Sequence, residues 1–306
     1  MQVVVAGGTG FIGRPLVRAL VRGGARVSVI TRDPARMQRH LPVGVLALGW
    51  TDSEEGSWRR VITEADAVIN LCGAPIAAQR WTPAYRDELR ASRVGPTRQL
   101  VQAMEDAPRE RAFLSGSAVG YYGDRGDAAL PESAPPAKDF LGELCVEWEA
   151  VAQEAERSGA RVVLLRTGVV LGKGGGILER MSLPFRWFVG GSLGSGRQWV
   201  PWIHLEDVIG MVHWALDNRD VRGPLNLVAP NPVRMREFAG ALGKAMHRPA
   251  LARVPAFALR LALGDLAQAL LASQRVVPEV ARRLGYQWKY ETLARALAEA
   301  LGTEGP

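Results

Sequence analysis

Val3-Val4-Val5-Ala6-Gly7-Gly8-Thr9-Gly10-Phe11-Ile12-Gly13 opens the chain with a β-branched run that passes through a glycine turn into helical periodicity over Phe11 to Val21. The three spaced glycines answer three separate demands. One permits the tight turn, one lets backbone approach a phosphate, and one lets helix pack closely on strand. At the helix start the N–H groups and the dipole favour negative charge, so a strand, this turn and a helix in succession form the context of a dinucleotide fingerprint, with the pyrophosphate over Gly7, Gly10 and Gly13. A glycine-rich turn that binds nothing is the alternative.

Outward from this turn, short β-rich runs alternate with longer helical patterns. Val3 to Ala6, Val27 to Thr31, Val45 to Leu48, Ala67 to Leu71, Ala112 to Ser115 and Arg161 to Arg166 read as six strands, with helices clearest at Phe11 to Val21, Pro83 to Met104 and Phe140 to Arg157. Such alternation predicts an α/β fold, a doubly wound parallel Rossmann sheet. Its ligand is expected at the carboxyl ends of the strands where their order reverses. After Gly168 the pattern loosens into glycine-rich stretches at 172–176 and 190–196. Leu225 to Val228 reads as a further strand, and the chain from Arg248 onward is helical and rich in leucine and alanine. Residues 1–170 are therefore assigned to the dinucleotide-binding core, with 200–230 returning to it. Residues 171–199 and 231–306 form a smaller C-terminal substrate lobe that includes a helical module over 248–306.

Composition excludes several classes of function. At 306 residues and 47% hydrophobic the chain can bury a large core. Its start has neither a basic n-region nor a long apolar run, and no segment offers the roughly 20 apolar residues of a membrane span, so a cytoplasmic protein with no membrane partner is expected. The net charge of +7 comes from arginines scattered along the chain, without aromatics interleaved for stacking, which argues against a nucleic-acid partner. Cys72 and Cys145 stand far apart and outside any CxxC pattern, and no histidine clusters with carboxylates, so neither a disulfide framework nor a metal site is indicated.

The second strand runs into Thr31-Arg32-Asp33, where a dinucleotide's adenosine ribose is read. An acidic residue there binds the 2′-hydroxyl of NAD, whereas arginine pairs with the 2′-phosphate of NADP. Arg32, with Arg36 one helical turn on and Arg39 nearby, points to NADP(H) as the preferred cofactor. Asp33 as the ribose ligand, with NAD(H) bound, is the alternative.

Further stretches narrow the reading: Ser115-Gly116-Ser117-Ala118-Val119-Gly120-Tyr121-Tyr122-Gly123-Asp124, Asp139-Phe140-Leu141 with Cys145 and Trp148-Glu149, Leu165 to Gly172, Pro201-Trp202-Ile203-His204 with Asp207, and Gln274 to Pro278 with Leu284-Gly285-Tyr286. Together they resemble the atypical, extended short-chain dehydrogenase/reductases labelled "NAD-dependent epimerase" or "cell-division inhibitor-like", across essentially the whole chain. The resemblance implies a Rossmann core with a C-terminal lobe closing over the nicotinamide end of NADP(H). It places Thr9, Phe11 and Ile12 along the pyrophosphate turn, Leu71, Cys72 and Gly73 beside the adenosine, and Ser115 to Ser117 beside the nicotinamide ribose.

The catalytic pattern of the wider superfamily is missing. A tyrosine acid/base with a lysine four residues later is usual there, but the residues four before Lys138, Lys173, Lys244 and Lys289 are Ala134, Val169, Gly240 and Gly285. The alignment puts Leu141 and Cys145 at the tyrosine and lysine positions. Ser117, Tyr121 and Tyr122 are the candidate proton donors, against turn formation for the serine and aromatic packing for the tyrosines. Cys145 acts only if its thiol pKa is depressed, and otherwise is a small buried helix residue. Glu149 either orients a neighbour or faces solvent. His204 is an acid/base candidate or a structural residue, with Asp207 read as capping a helix start. Arg197, Gln198 and Trp202, with Trp199, are expected to line the substrate cleft, the first two suiting a polar or anionic ligand; Arg166 and Lys173 are weaker candidates. Two functions follow: an NADP(H)-binding oxidoreductase or epimerase-like enzyme acting on a small carbonyl or alcohol, or a non-catalytic NADP(H)-binding redox sensor or scaffold.

Overall fold

In the computed structural model, which describes residues 1–51 and 58–303, seven strands form one parallel sheet. They are β1 (Gln2–Ala6), β2 (Arg26–Ile30), β3 (Leu46–Leu48), β4 (Ala67–Asn70), β5 (Arg111–Ala118), β6 (Ala160–Thr167) and β7 (Gly223–Leu227). Their spatial order is 3-2-1-4-5-6-7, so the chain reverses direction across the sheet between β1 and β4. A parallel sheet covered on both faces demands strands that are apolar throughout. β4 is buried at every position, and β1 from its second residue on. One core cluster holds Leu16, Val17 and Met211 on one face, and a second holds Trp58, Leu100 and Met104 on the other.

Local chemistry sets the helices that cover the sheet. Pro83–Glu105 starts with Pro83 in its first turn and Thr82 accepting from Tyr85 N; Phe140–Gln153 starts with Asp139 accepting from Gly142 N. The latter ends four residues short of the expected Arg157, where the chain tightens into a 3-10 turn over Glu154–Ser158. Among the described residues no helix is long and apolar enough to cross a membrane.

The C-terminal lobe has its own core, in which Phe185, Trp202, Phe238, Leu242, Tyr290 and Leu297 meet. Short strand pairs fasten it to the sheet domain: Trp202–His204 beside Val169–Leu171, and Arg275–Val276 beside Ala129–Leu130. Asp207 does not cap a helix start, as the sequence suggested. Its carboxylate accepts from Lys289 N at 2.7 Å and Tyr290 N at 3.0 Å, tying down the C-terminal segment. The cap of Leu205–Asp217 is His204, whose Nδ1 accepts from Glu206 N at 3.2 Å.

Candidate functional site

The crevice between β1 and β4 is where the sequence placed a ligand, and the glycines there differ in what constrains them. A Cβ on Gly13 would lie 2.3 Å from Gly7 O, and one on Gly7, at φ +79°, would lie 2.7 Å from the Leu71 carbonyl. These two glycines are dictated by the chain's own packing. Gly10 is exposed, and a Cβ on it would meet only Gly7 O at 3.4 Å, so the space above it is free for a ligand to approach. The Gly13–Arg22 helix has no acidic residue in its first turn and no side-chain cap, which leaves its N-terminus to an anion. Thr9 O accepts from Arg14 Nε at 2.8 Å, and the Phe11 ring packs under the second glycine loop, where a Cβ on Gly175 or Gly176 would come within 2.8 or 2.9 Å of it. Ile12 joins the adjacent core.

At the β2 exit Arg32 is exposed. The Asp33 carboxylate is already used, accepting from Arg36 N at 3.0 Å to cap the short Pro34–Gln38 helix. Leu71, Cys72 and Gly73 leave β4 opposite. Burial pushes the Cys72 thiol up to about 12, against the lowering charge of Arg32, so Cys72 is a wall and not a reactive group.

Beneath this exit lies a polar cluster that sequence reasoning missed. Thr97 Oγ accepts from Asn70 Nδ2 and from Trp148 Nε1, both at 2.8 Å, while Asn70 Oδ1 accepts from Cys72 N at 3.1 Å. Thr97 and Asn70 are fully buried. Thr97→Val strands two donors, and the expected loss is about 2–3 kcal/mol of unfolding free energy in urea titration.

Strand register builds the next part of the site. Ser117 on β5 lies directly opposite Arg166 on β6, and the Phe140–Gln153 helix brings Cys145 and Glu149 against them. The Ser117 hydroxyl donates to Glu149 Oε1 at 2.5 Å, and Arg166 grips the same carboxylate with Nε and Nη2, each at 2.8 Å. Burial disfavours the Arg166 cation, but Glu149's hydrogen bonds and charge outweigh it and raise the pKa. Arg166 Nη1 also donates to Tyr122 OH at 3.0 Å, and Tyr122 in turn donates to Asn226 Oδ1 at 2.7 Å. Glu149 thus orients Ser117 and does not face solvent.

Only one of the three candidate donors reaches the cleft. Tyr122 is fully buried, its hydroxyl pushed up to about 12 by burial, and it lies outside the cleft wall. Tyr121 packs its ring under the Arg166 guanidinium, 3.5 Å from Cζ, and edge-on to Tyr122. Both tyrosines leave β5 in a 3-10 turn, Val119–Tyr122, that carries them away from the cleft wall. Ser115 is likewise fully buried, below the cleft floor. Cys145 is buried, its Sγ 3.7 Å from Ala118 O, and burial with the nearby Glu149 charge pushes it up to about 12, which removes it as a nucleophile.

Ser117 faces a cleft of about 580 Å³ whose wall includes Phe11, Trp81, Cys145, Trp148, Val169 and Ile177. Two cations on this wall were not foreseen. Arg93 donates to Leu89 O and Ala74 O, both at 3.0 Å, lies over the Trp148 ring, and has no ion-pair partner among the described residues. Arg86 pairs with Asp265 of the C-terminal lobe, bridging the cleft mouth. Nothing in their spacing marked them, because both sit on the Pro83–Glu105 helix among surface arginines. Of the residues expected to line the cleft, Trp202 is instead in the lobe core, 1% exposed, its Nε1 bonded to Asn231 O. Arg197 is exposed outside the wall. Gln198 lines an adjoining chamber. Lys173 borders a separate surface hollow with His204.

His204 is 3% exposed and burial pushes it down to about 4, so it is neutral near pH 7 and serves as a cap. The unfolded chain takes up this proton near pH 6.5 and the folded chain only near 4, so stability falls as pH drops through that window, by up to about 3 kcal/mol. His204→Asn keeps a cap acceptor; the difference in urea stability between it and the wild type is expected to shrink as pH falls from 7 to 4. The raised carboxyls of Glu132 and Asp207 give the opposite slope and cancel in that difference.

Fold and site together define a short-chain dinucleotide-binding architecture without the tyrosine–lysine pair. The chain belongs to the NAD dependent epimerase/dehydratase family, whose model matches residues 3–227; a domain of unknown function, DUF1731, matches residues 254–300. It is 40% identical over 300 residues to the chloroplastic "Epimerase family protein SDR39U1 homolog" of Arabidopsis thaliana, covering 97% of this chain and 86% of that one. It is 40% identical over 304 residues to "Epimerase family protein MT2273" of Mycobacterium tuberculosis, covering 99% and 98%. A crystal structure of human epimerase family protein SDR39U1 with NADPH superposes with a TM-score of 0.87 at 35% identity over 99% of both chains.

Proposed function

We propose that this protein binds NADP(H) and is an oxidoreductase for a small-molecule carbonyl or alcohol. The uncrowded Gly10, the uncapped helix start and the free Arg32 beside a committed Asp33 fit a dinucleotide with a 2′-phosphate. The NADPH held by the human relative supports this choice. Arg32→Ala is expected to weaken NADPH binding about 10- to 100-fold by calorimetry while leaving NADH nearly unchanged. Equal losses for both cofactors reject the 2′-phosphate contact.

The observation that carries the enzymatic reading is the Ser117–Glu149–Arg166 array ending at the cleft wall. When bound, the nicotinamide supplies or accepts the hydride. The chain's own task is to orient the substrate oxygen and manage its proton. Because the Ser117 proton points to Glu149, the lone pairs of Oγ are left to accept from a substrate hydroxyl in the cleft. Arg93 brings a cation to the wall beside Cys145, the position that aligns with the missing lysine, and is suited to hold a ribose hydroxyl. Purified protein incubated with NADPH and a panel of aldehydes and ketones is expected to oxidise the cofactor. Complete inertness with cofactor binding intact rejects catalysis in favour of a non-catalytic sensor.

A further inference from the structure

The cleft does not end at the wall described above. Past Val169 and Ile177 it opens into a second chamber of about 410 Å³, and Ala77, Leu266, Ala269 and Gln274 line both. The chamber lies within the C-terminal lobe, walled by Met181, Phe185, Leu193, Leu242, Leu259 and Leu263. Among the described residues no carboxylate, lysine or histidine lines it. Each of Arg180, Gln198 and Gln274, which do line it, spends one donor on the chain itself. Arg180 Nη1 donates to Ala77 O, Gln198 Nε2 to Leu193 O at 2.9 Å, and Gln274 Nε2 to Val119 O at 3.0 Å.

Apart from the exposed Arg180, the chamber offers few groups to replace the water that a sugar hydroxyl would lose on entry. It does offer apolar surface to a hydrocarbon. One side is closed by a single helix, Ala256–Leu263, that turns Leu259 and Leu263 inward while Phe257 and Leu261 stand 72% and 79% exposed. That helix is apolar on both faces, so an apolar chain meets no charged barrier there except Arg260.

From this continuity we infer that the substrate carries its carbonyl or alcohol on a long hydrocarbon chain: the oxygen sits at Ser117 and the tail passes between Val169 and Ile177 into the lobe chamber. The inference rests on the oxidoreductase reading for the identity of the head group only. It departs from the polar or anionic ligand that Arg197 and Gln198 suggested.

The test is calorimetric binding of a 2-alkanone series, from 2-butanone upward, to the full-length protein with NADPH bound, and UDP-glucose is the counter-probe. Affinity is expected to rise about fourfold per added methylene until the chamber is full, the ratio equivalent to ~0.8 kcal/mol each, with no measurable binding of UDP-glucose. Ala239→Phe fills the chamber from the Met235–Ala245 helix, and Leu263→Asp puts a charge on its half-exposed wall. Either is expected to flatten the chain-length dependence, and unchanged NADPH affinity shows that the variant has folded. A series flat in the wild type, a dependence that survives in both folded variants, or tight UDP-glucose binding overturns the inference. Chain-length-dependent binding without NADPH oxidation upholds the chamber and sinks only the oxidoreductase reading.

Discussion

Arg166→Met is expected to cost about 3–5 kcal/mol of folding stability, because it leaves a carboxylate in the interior without its counter-charge. The side chains of Arg166 and Glu149 are 3% and 7% exposed. The arginine is also the hub of the surrounding contacts, donating to Tyr122 OH and to Glu132 O at 2.9 Å and covering the Tyr121 ring. Urea unfolding at pH 7 reads the loss directly. Glu149→Leu combined with Arg166→Met removes both charges and should recover most of the loss. A single variant as stable as the wild type would refute the buried pair.

Ser117→Ala is expected to lower kcat about 10²- to 10⁴-fold on any alcohol that the protein oxidises with NADP⁺, with cofactor affinity unchanged. The fold tolerates the change because Glu149 Oε1 keeps its bond from Arg166 Nε. What is lost is the group that touches the substrate oxygen from the cleft floor. Tyr122→Phe is the contrast. It removes a hydroxyl from the same array but not from the cleft wall, so it is expected to show in urea stability and only slightly in kcat. Steady-state NADP⁺ reduction with an alcohol substrate on both variants separates them. If the tyrosine variant lost the larger share of turnover, the serine would not be the reacting group.

The missing tyrosine–lysine pair gains a physical explanation from these contacts. On the helix where the pair would stand, Leu141 and Cys145 occupy its positions, and the next turn supplies Glu149. Glu149 answers Arg166, not a cofactor ribose. Arg166 read from sequence as a weak cleft candidate, since strand periodicity cannot distinguish a cation at a cleft wall from one locked against a helix carboxylate 17 residues earlier. Tyr121-Tyr122 misled for a related reason. Their place after β5 is right for a cleft, but the 3-10 turn rotates both rings beneath it. Trp202 was read as a cleft wall from its glycine-rich approach, yet its short strand is stitched beside Val169–Leu171 and drives the indole into the lobe core.

By itself the sequence determined the parallel sheet, its glycine turn and the family, because these depend on local information: short apolar strands, glycines at fixed offsets of which Gly7 and Gly13 have no room for a Cβ, and an arginine just past β2. Only the tertiary structure decided which serine, glutamate and arginine meet, and that an apolar chamber continues the cleft. Those are products of register between strands and of lobe-to-core packing, where residues more than a hundred positions apart, such as Arg86 and Asp265, are brought together by burial and not by any spacing along the chain.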